Sequence, residues 1–263
     1  MDLVEAKARG FDPGVRHPWE RARVDVIGKL IRRHVALEPG AIVMDIGCGD
    51  TFVAERLAAI YTDAVFYAVD TAFTDEFLEQ YRRRGSNPRI MLFRSLDAIA
   101  PVPEKPASLV LLMDVIEHIK DDGAFLSGLR GQSYVGPETK FLITVPAYQA
   151  LFCSHDAFLG HYRRYSNRQL RARVEASGFV VLDMGYFFFS LLLIRAPQVL
   201  KERLFTVRPQ DASSGLVTWK GGEMKAAILR QALAFDAGVS GLLGRLGLRL
   251  AGLSNYAICT KSV

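Results

Sequence analysis

The segment best suited to bind a small ligand is a glycine-rich run, VMDIGCGDT, at residues 43–51. Gly47 and Gly49 carry no side chain, so the backbone can turn sharply there and approach a ligand closely. Asp45, two residues before the first of these glycines, can orient the loop. A dinucleotide-binding fingerprint would need a third glycine where the chain has Phe52. The spacing therefore indicates a cofactor loop of another kind.

A second acidic residue follows the next apolar run. Asp70 ends the segment VFYAVD, about twenty positions past the glycines, where a carboxylate can accept hydrogen bonds from both hydroxyls of a ribose. Alone, Asp70 would be an ordinary turn residue. Together with the glycine loop it is predicted to be a ligand of a nucleoside cofactor.

These two segments resemble the S-adenosylmethionine (SAM) motif of class I methyltransferases, acidic-x-Gly-x-Gly-x-small, with Thr51 in place of the third glycine. The resemblance implies that SAM is the cofactor. It also implies that the segment around Leu96 flanks the adenine and that Asp114 lies at the methionyl end. For Asp97 a helix N-cap is an equal interpretation. The cofactor-binding residues predicted in this way are Asp45, Gly47, Cys48, Gly49, Asp70, Thr71, Leu96, Asp97, Met113, Asp114 and Val115.

The segment MDVIEHI at residues 113–119 resembles the Val/Leu-Glu-His segment of the small-molecule branch that includes quinone-biosynthesis methyltransferases. The resemblance implies that Glu117 and His118 face the acceptor. His118 is then the first candidate for a general base, because an imidazole titrates near neutral pH. A histidine that starts a helix and bonds to backbone explains the same residue equally well.

A polar loop, residues 147–166, follows the fifth predicted strand and is expected to face the ligand crevice. Together with residues 17–23 it resembles type 11/12-like bacterial methyltransferases. His155 and His161 are further catalytic candidates. We expect Tyr148, Arg163 and Tyr165, with Glu117, to bind the acceptor. By contrast, Arg168, Arg171 and Arg173 are interpreted as a solvated basic helix start.

For methyl transfer from a sulfonium, the enzyme mainly has to align the acceptor with the bond between sulfur and the methyl carbon. It also has to exclude water. A base is needed only when the acceptor must lose a proton. The spacing of metal-binding residue types predicts no metal site, although Asp114 leaves a magnesium-dependent mechanism open.

Apolar runs alternate with amphipathic helices along the chain, and this pattern predicts an α/β fold. We expect a Rossmann-like, doubly wound, mostly parallel seven-stranded sheet with a helical insertion before the last strand. The predicted strands cover residues 41–46, 65–69, 90–93, 109–113, 141–145, 179–182 and 256–260, and the end of the sixth strand beyond residue 182 is left open. The predicted helices cover residues 18–35, 52–60, 75–84, 121–129 and 167–176.

Three parts are expected: a SAM-binding core over residues 1–189, a helical lid or cap over residues 190–254, and a final core strand over residues 255–263. Apolar positions in the cap alternate with cations, such as Lys201, Arg203, Arg230, Arg245 and Arg249. Two interpretations stay open. The helices cover the sheet or a second subunit in a homodimer, or they rest on an anionic membrane.

The overall composition limits the function further. A net charge of +5 is too small to indicate nucleic-acid binding, and no Asn/Asp-Pro-Pro-aromatic element of nucleic-acid methyltransferases follows the fourth strand. Cys48, Cys153 and Cys259 form no close pair, and the sequence starts without a secretory signal. We expect a cytoplasmic enzyme, free or peripheral to the inner face of the membrane, that methylates a small or lipid-linked hydrophobic acceptor. A SAM-binding regulator or scaffold without turnover, or an RNA or DNA methyltransferase, is the alternative.

Overall fold

A seven-stranded sheet forms the centre of the molecule. The computed structural model describes residues 16–99, 105–205, 221–248 and 250–262. The strands are β1 (Ile42–Ile46), β2 (Val65–Val69), β3 (Ile90–Phe93), β4 (Leu109–Met113), β5 (Lys140–Pro146), β6 (Phe179–Phe187) and β7 (Ser254–Lys261). Their order in the sheet is β3-β2-β1-β4-β5-β7-β6. Only the pairs that include β7 are antiparallel. The predicted seven-stranded, mostly parallel sheet is thus confirmed.

The central strands are apolar throughout because both of their faces are covered. All five residues of β1 and of β4 are buried. Side chains of alternate positions enter two separate hydrophobic clusters, one on each face of the sheet. Continuous apolar runs of this kind are typical of parallel strands between two helical layers. This burial fixes the strand ends at which the candidate site lies.

The helices are α1 (Pro18–His34), α2 (Phe52–Ile60), α3 (Asp75–Arg83), α4 (Asp122–Arg130), α5 (Ser154–Phe158), α6 (Asn167–Ala176), α7 (Phe189–Phe205) and α8 (Gly222–Arg245). The helices predicted with bounds, α1 to α4 and α6, begin and end close to the predicted positions. Thr74 caps α3 through its hydroxyl, which accepts a hydrogen bond from the amide of Phe77. Ser166 and Gln169 form the capping box of α6.

Two features of the second half of the chain differ from the prediction. β6 continues to Phe187, because residues 183–187 pair with β7 after a register shift between Val181 and Asp183. The short helix α5, which is not predicted, interrupts the polar loop after β5. Its start is stabilised by Asp156, whose carboxylate accepts a hydrogen bond from the amide of Cys153.

Between β6 and β7 the described residues include the helices α7 and α8, which confirms the predicted helical insertion before the last strand. α8 packs against α1 and β6, with Ala226 and Leu233 buried, and Arg230 forms a two-pronged ion pair with Asp25 of α1. In the described ranges one helix, Gly222–Gly244, is long and apolar enough to cross a membrane, judged by length and composition alone. Residues 1–15, 100–104 and 206–220 of the predicted parts, together with Arg249 and Val263, lie outside the described residues, as does the side chain of Arg245.

Candidate active site

A cavity of about 660 Å³ opens at the carboxyl ends of β1, β2, β4 and β5. This is the edge where ligands bind in open α/β sheets. Most of the predicted site residues line it. They are Gly47, Gly49, Asp70, Thr71, Leu96, Met113, Asp114, Val115, His118, His155 and His161.

The glycine loop has the conformation that its sequence requires. Gly47 and Gly49 have φ values of +69° and +59°, in the left-handed region that favours glycine. A Cβ atom added to Gly47 would lie 2.7 Å from Cγ2 of Val115, closer than atoms can pack. A side chain at position 47 would therefore strain the backbone and force Val115 to move.

Asp70 holds this loop to the neighbouring strand. Its Oδ2 accepts a hydrogen bond of 2.8 Å from the amide of Gly49, and its Oδ1 accepts one of 2.8 Å from the amide of Ala72. Carboxylate oxygens have further lone pairs. The same side chain can orient the loop and still bind a ligand hydroxyl in the cavity.

Asp45 lies behind the loop and outside the cavity lining. It is fully buried, and neither carboxylate oxygen has a hydrogen-bond partner among the described residues. Burial, with a smaller contribution from the negative charge of Asp70, raises the pKa of Asp45 to about 7. A buried carboxylate without a partner is costly, so a positive charge nearby would stabilise its ionised form.

Asp114 anchors the floor of the cavity. It adopts a φ of +57°, an uncommon value for a residue other than glycine. Its Oδ2 lies 2.7 Å from a guanidinium nitrogen of Arg23, and its Oδ1 accepts a hydrogen bond of 3.0 Å from the hydroxyl of Thr144. Arg23 also donates to Thr144, at 2.8 Å. This triangle joins α1, β4 and β5 beneath the site.

Asp156 organises the histidine side of the cavity. Its Oδ1 lies 2.8 Å from Nδ1 of His161 and accepts a hydrogen bond of 2.8 Å from Nε of Arg164. Burial alone would raise the pKa of Asp156, but these two partners hold it well below its usual range. Burial also lowers the pKa of His155, which favours the neutral imidazole.

Glu117, His118 and His161 form a compact group at the same wall. One potential ligand atom from each lies within 4.8 Å of the others, and the two imidazole rings are nearly perpendicular at 4.5 Å. Glu117 is fully buried, and burial followed by the charge of Asp114 raises its pKa well above the usual range. The sequence does not reveal this group, because His161 is distant from the other two in the chain.

Two of the predicted cofactor residues, besides Asp45, do not line the cavity. The Cys48 side chain is buried in the hydrophobic cluster on one face of the sheet. Asp97 is exposed at the start of a 3₁₀ turn. The N-cap interpretation of Asp97 is wrong, since the hydroxyl of Ser95 accepts the capping hydrogen bond from the amide of Ala98. Ser95, in the segment predicted to flank the adenine, and Ala72, which was not predicted, also line the cavity.

The four predicted acceptor ligands are also absent from the cavity lining. Glu117 lies behind the two histidines, and Tyr148 stacks on Tyr186 with 5.1 Å between ring centroids. Arg163 forms an ion pair of 2.9 Å with Asp122, to which the hydroxyl of Tyr165 donates at 2.6 Å. Tyr148, Arg163 and Tyr165 thus have partners within the fold, and acceptor binding by the four residues stays a prediction.

Sequence reasoning did not assign the part of the lining that α1 and α7 contribute. Its members are His17, Trp19, Arg23, Phe188, Leu191, Ile194, Arg195 and Gln198. The run at residues 17–23 carries a resemblance to bacterial methyltransferases but no motif that assigns its side chains to a ligand. The apolar residues of α7 carry no local signal that distinguishes a cavity wall from a core.

Comparison with known proteins agrees with this geometry. The family model for a methyltransferase domain matches residues 19–184. The chain belongs to the methyltransferase domain family. It is 26% identical over 172 residues to a Mycolicibacterium smegmatis protein named "Probable S-adenosylmethionine-dependent methyltransferase", a match that covers 64% of this chain and 62% of that protein.

Solved structures share the fold of this family member. One is phosphoethanolamine N-methyltransferase 2 of Haemonchus contortus in complex with phosphomonomethylethanolamine and S-adenosylhomocysteine. It has 19% identity and a TM-score of 0.55, with 91% of this chain and 53% of that chain covered. Another is the [4+2]-cyclase SpnF, with 17% identity, a TM-score of 0.52, and 91% and 81% covered. The fold thus also occurs in a protein named as a cyclase.

The position of Asp45 leads to a prediction about pH. Its pKa of about 7 in the folded state exceeds the value of about 4 in an unfolded chain. The native carboxyl therefore keeps a proton that the unfolded chain loses. The free energy of unfolding should fall by about 1.4 kcal/mol per pH unit between these two values. Thermal unfolding at pH 5, 6, 7 and 8 would measure this fall.

The Asp45→Asn variant is the matched control, because it cannot ionise and should lack this contribution. The difference between the two proteins isolates Asp45 from other groups that titrate in the same range. Parallel stability curves for the two proteins would contradict the assignment of the raised pKa to Asp45.

Proposed function

We propose that this protein transfers a methyl group from SAM to a small or lipid-linked hydrophobic acceptor. The observation that carries the proposal is the glycine loop, clamped by Asp70, at the mouth of a cavity in a methyltransferase-family fold. The match to the curated relative covers less than two thirds of that protein. The activity is therefore argued from this chain's own residues.

The residues present fit SAM. The absence of a side chain at Gly47 leaves backbone where the cofactor must pass closely. Asp70 is placed to accept hydrogen bonds from ribose hydroxyls, and the buried, unpartnered carboxylate of Asp45 complements the positive charge of the methionyl portion. SAM supplies an electrophilic methyl group on a sulfonium when bound. The protein binds and orients both substrates and excludes water.

The remaining wall of the cavity is suited to a hydrophobic acceptor. Trp19, Phe188, Leu191 and Ile194 contribute apolar surface, and His118, His155 and His161 contribute polar groups. Pockets of this type use the apolar surface for affinity and a few polar groups for orientation. We assign the three histidines to the reacting polar group of the acceptor, which they hold in line with the methyl group.

The exposed surface of the cap helices α7 and α8 supports the proposal that a membrane delivers the acceptor. α7 and α8 expose large apolar side chains, which are Leu193, Ile194, Leu200, Leu204, Phe205, Met224, Ile228, Phe235 and Leu242. The two helices are joined by the hydrogen bond from the hydroxyl of Ser190 to Asp236. α7 also lines the active-site cavity. An acceptor that leaves the membrane at this surface would reach the cavity along α7.

Positive charge lies beside the same surface. A second cavity, of about 550 Å³, is lined by Lys29, Arg32 and Arg33 of α1 together with small residues of α8. Cations next to exposed apolar side chains suit an anionic lipid surface, where each contributes on the order of 1 kcal/mol. We propose that the protein is cytoplasmic and rests on the inner face of the membrane through α7 and α8. Homodimer formation through these helices is the alternative.

Isothermal titration with SAM tests the cofactor assignment. Asp70→Ala should weaken binding by about 2–4 kcal/mol, because a charged acceptor of hydrogen bonds is lost and the glycine loop is released. Gly47→Val should abolish binding, since its side chain would collide with Val115. The control is Asp97→Ala, which removes an exposed carboxylate outside the cavity and should leave the affinity unchanged. A folded Asp70→Ala variant with normal affinity would remove Asp70 from the site.

The acceptor class can be tested with SAM that carries a tritium-labelled methyl group. The protein is incubated with this SAM and a bacterial lipid extract, and the phases are then separated with organic solvent. We expect label in the organic phase with the native protein and none with Gly47→Val. Label that stays entirely as unreacted SAM, when binding is normal, would instead favour a regulator or scaffold without turnover.

Co-sedimentation with anionic vesicles tests the membrane surface. Binding should be strong at low salt and weak at high salt, because ionic attraction is screened. Replacing Ile228 and Phe235 of α8 by glutamate should abolish it. The same replacement at Ile60, an exposed residue of α2 and outside the two cap helices, is the control. If native protein fails to sediment at low salt, the membrane proposal is wrong, and light scattering would test the homodimer.

A further inference from the structure

The wall of the active-site cavity contains the side-chain set of a metal site. We propose that Glu117, His118 and His161 bind one divalent transition-metal ion, of the type of Zn²⁺ or Fe²⁺. One ligand atom from each of the three residues lies within 4.8 Å of the others. Atoms bound to a common ion at about 2.1 Å are separated by about 3–4 Å, so small side-chain adjustments complete the geometry.

The types of ligand define the class of ion. Two imidazoles and one carboxylate are donors of intermediate hardness, and they suit zinc, iron, cobalt and nickel better than magnesium or calcium. The same set with open coordination positions occurs in metal-dependent enzymes. His118 and His161 both line the cavity, whereas Glu117 lies behind them. The open coordination positions of an ion held by the three residues would therefore face the cavity in which the acceptor is proposed to bind.

Glu117 is the independent sign that a ligand belongs here. It is fully buried, and no other described residue donates a hydrogen bond to either of its carboxylate oxygens. Buried carboxylates are otherwise paired or hydrogen-bonded, because removing them from water is costly. The nearby carboxylate of Asp114 is engaged by Arg23. A cation between Glu117 and the two histidines would provide the missing partner.

The surroundings hold the ligands in place. Nδ1 of His161 is bonded to Asp156, which leaves Nε2 for an ion. Carboxylates that orient metal-binding histidines in this way are typical of metal sites. Asp156 is itself held by Arg164 and by the amide of Cys153. In addition, the amide of Tyr162 donates a hydrogen bond of 2.8 Å to the carbonyl oxygen of Glu117. This bond ties the two ligand segments together.

Within the proposed function, the ion would act on the acceptor. A hydroxyl group bound to it has a lower pKa and loses its proton to water. The acceptor oxygen then forms a bond to the methyl carbon while the bond from that carbon to sulfur breaks, and S-adenosylhomocysteine leaves with the electron pair. This role rests on the proposed function, whereas binding of the ion does not.

The test uses the full chain after treatment with a chelator and removal of any tag. Zn²⁺ alone is titrated by calorimetry, and thermal unfolding is followed with and without Zn²⁺. We expect one ion per chain and a higher midpoint of unfolding, since a ligand that binds only the native state stabilises it. Co²⁺ in place of Zn²⁺ should give visible absorption bands that report the coordination.

Glu117→Gln and His161→Gln should each lower the affinity at least about 100-fold, because even outer partners of metal ligands contribute 10- to 100-fold. His155→Gln is the matched control. This histidine lines the same cavity but does not belong to the group, so its variant should bind Zn²⁺ like the native protein. Circular dichroism establishes that the variants are folded.

Three results would overturn the proposal: no binding by native protein, equal binding by all variants, or equal loss in the His155 control. SAM titration without metal separates this proposal from the proposed function. Failure to bind SAM contradicts the function and leaves the metal site intact. Normal SAM binding without Zn²⁺ binding contradicts the metal site alone.

Discussion

The hydrogen bond from the amide of Gly49 to the carboxylate of Asp70 is the interaction on which the cofactor side of the site depends. It joins the loop after β1 to the tip of β2, two strands that are already in parallel register. The glycines allow the loop to turn, but glycine alone does not choose one conformation. Asp70 helps to select that conformation, together with the amides of Gly47 and Cys48, which donate to the carbonyl oxygen of Val69. One carboxylate thus orders the loop and also lines the cavity in which the cofactor is proposed to bind.

The sheet and most of its helices could be predicted because their signals are local. β2, β3 and β4 and the helices α2 and α6 have the bounds that apolar runs and capping residues indicate. The second half of β6 could not be predicted in this way. Its strand conformation comes from pairing with β7, which follows two helices later in the chain. Long-range pairing of this kind leaves little trace in the sequence near the strand.

The residues of the candidate site fall into the same two groups: some have local signals in the sequence, and others depend on contacts that are distant in the sequence. Positions next to the strand ends, such as Gly47, Asp70 and Asp114, were predicted because a strand end fixes where the next residues lie. The polar loop after β5 was predicted less well. There the number of polar residues indicated acceptor binding, but Arg163 and Tyr165 are engaged with Asp122. The hydrogen-bond partners of a side chain decide its role, and they are distant in the sequence.

The place of β7 between β5 and β6 has a consequence for synthesis on the ribosome. β5 and β6 emerge first, but they have no contact along their edges until β7 pairs with both in antiparallel direction. Until then β6 has no strand partner and its backbone groups are unpaired. It remains an edge strand in the finished fold, where Val180 and Leu182 are exposed to solvent. Edges of this kind favour association with other chains. During this interval α7 and α8 must emerge and the nascent protein stays open to aggregation, so chaperone binding at this stage would protect the unfinished sheet.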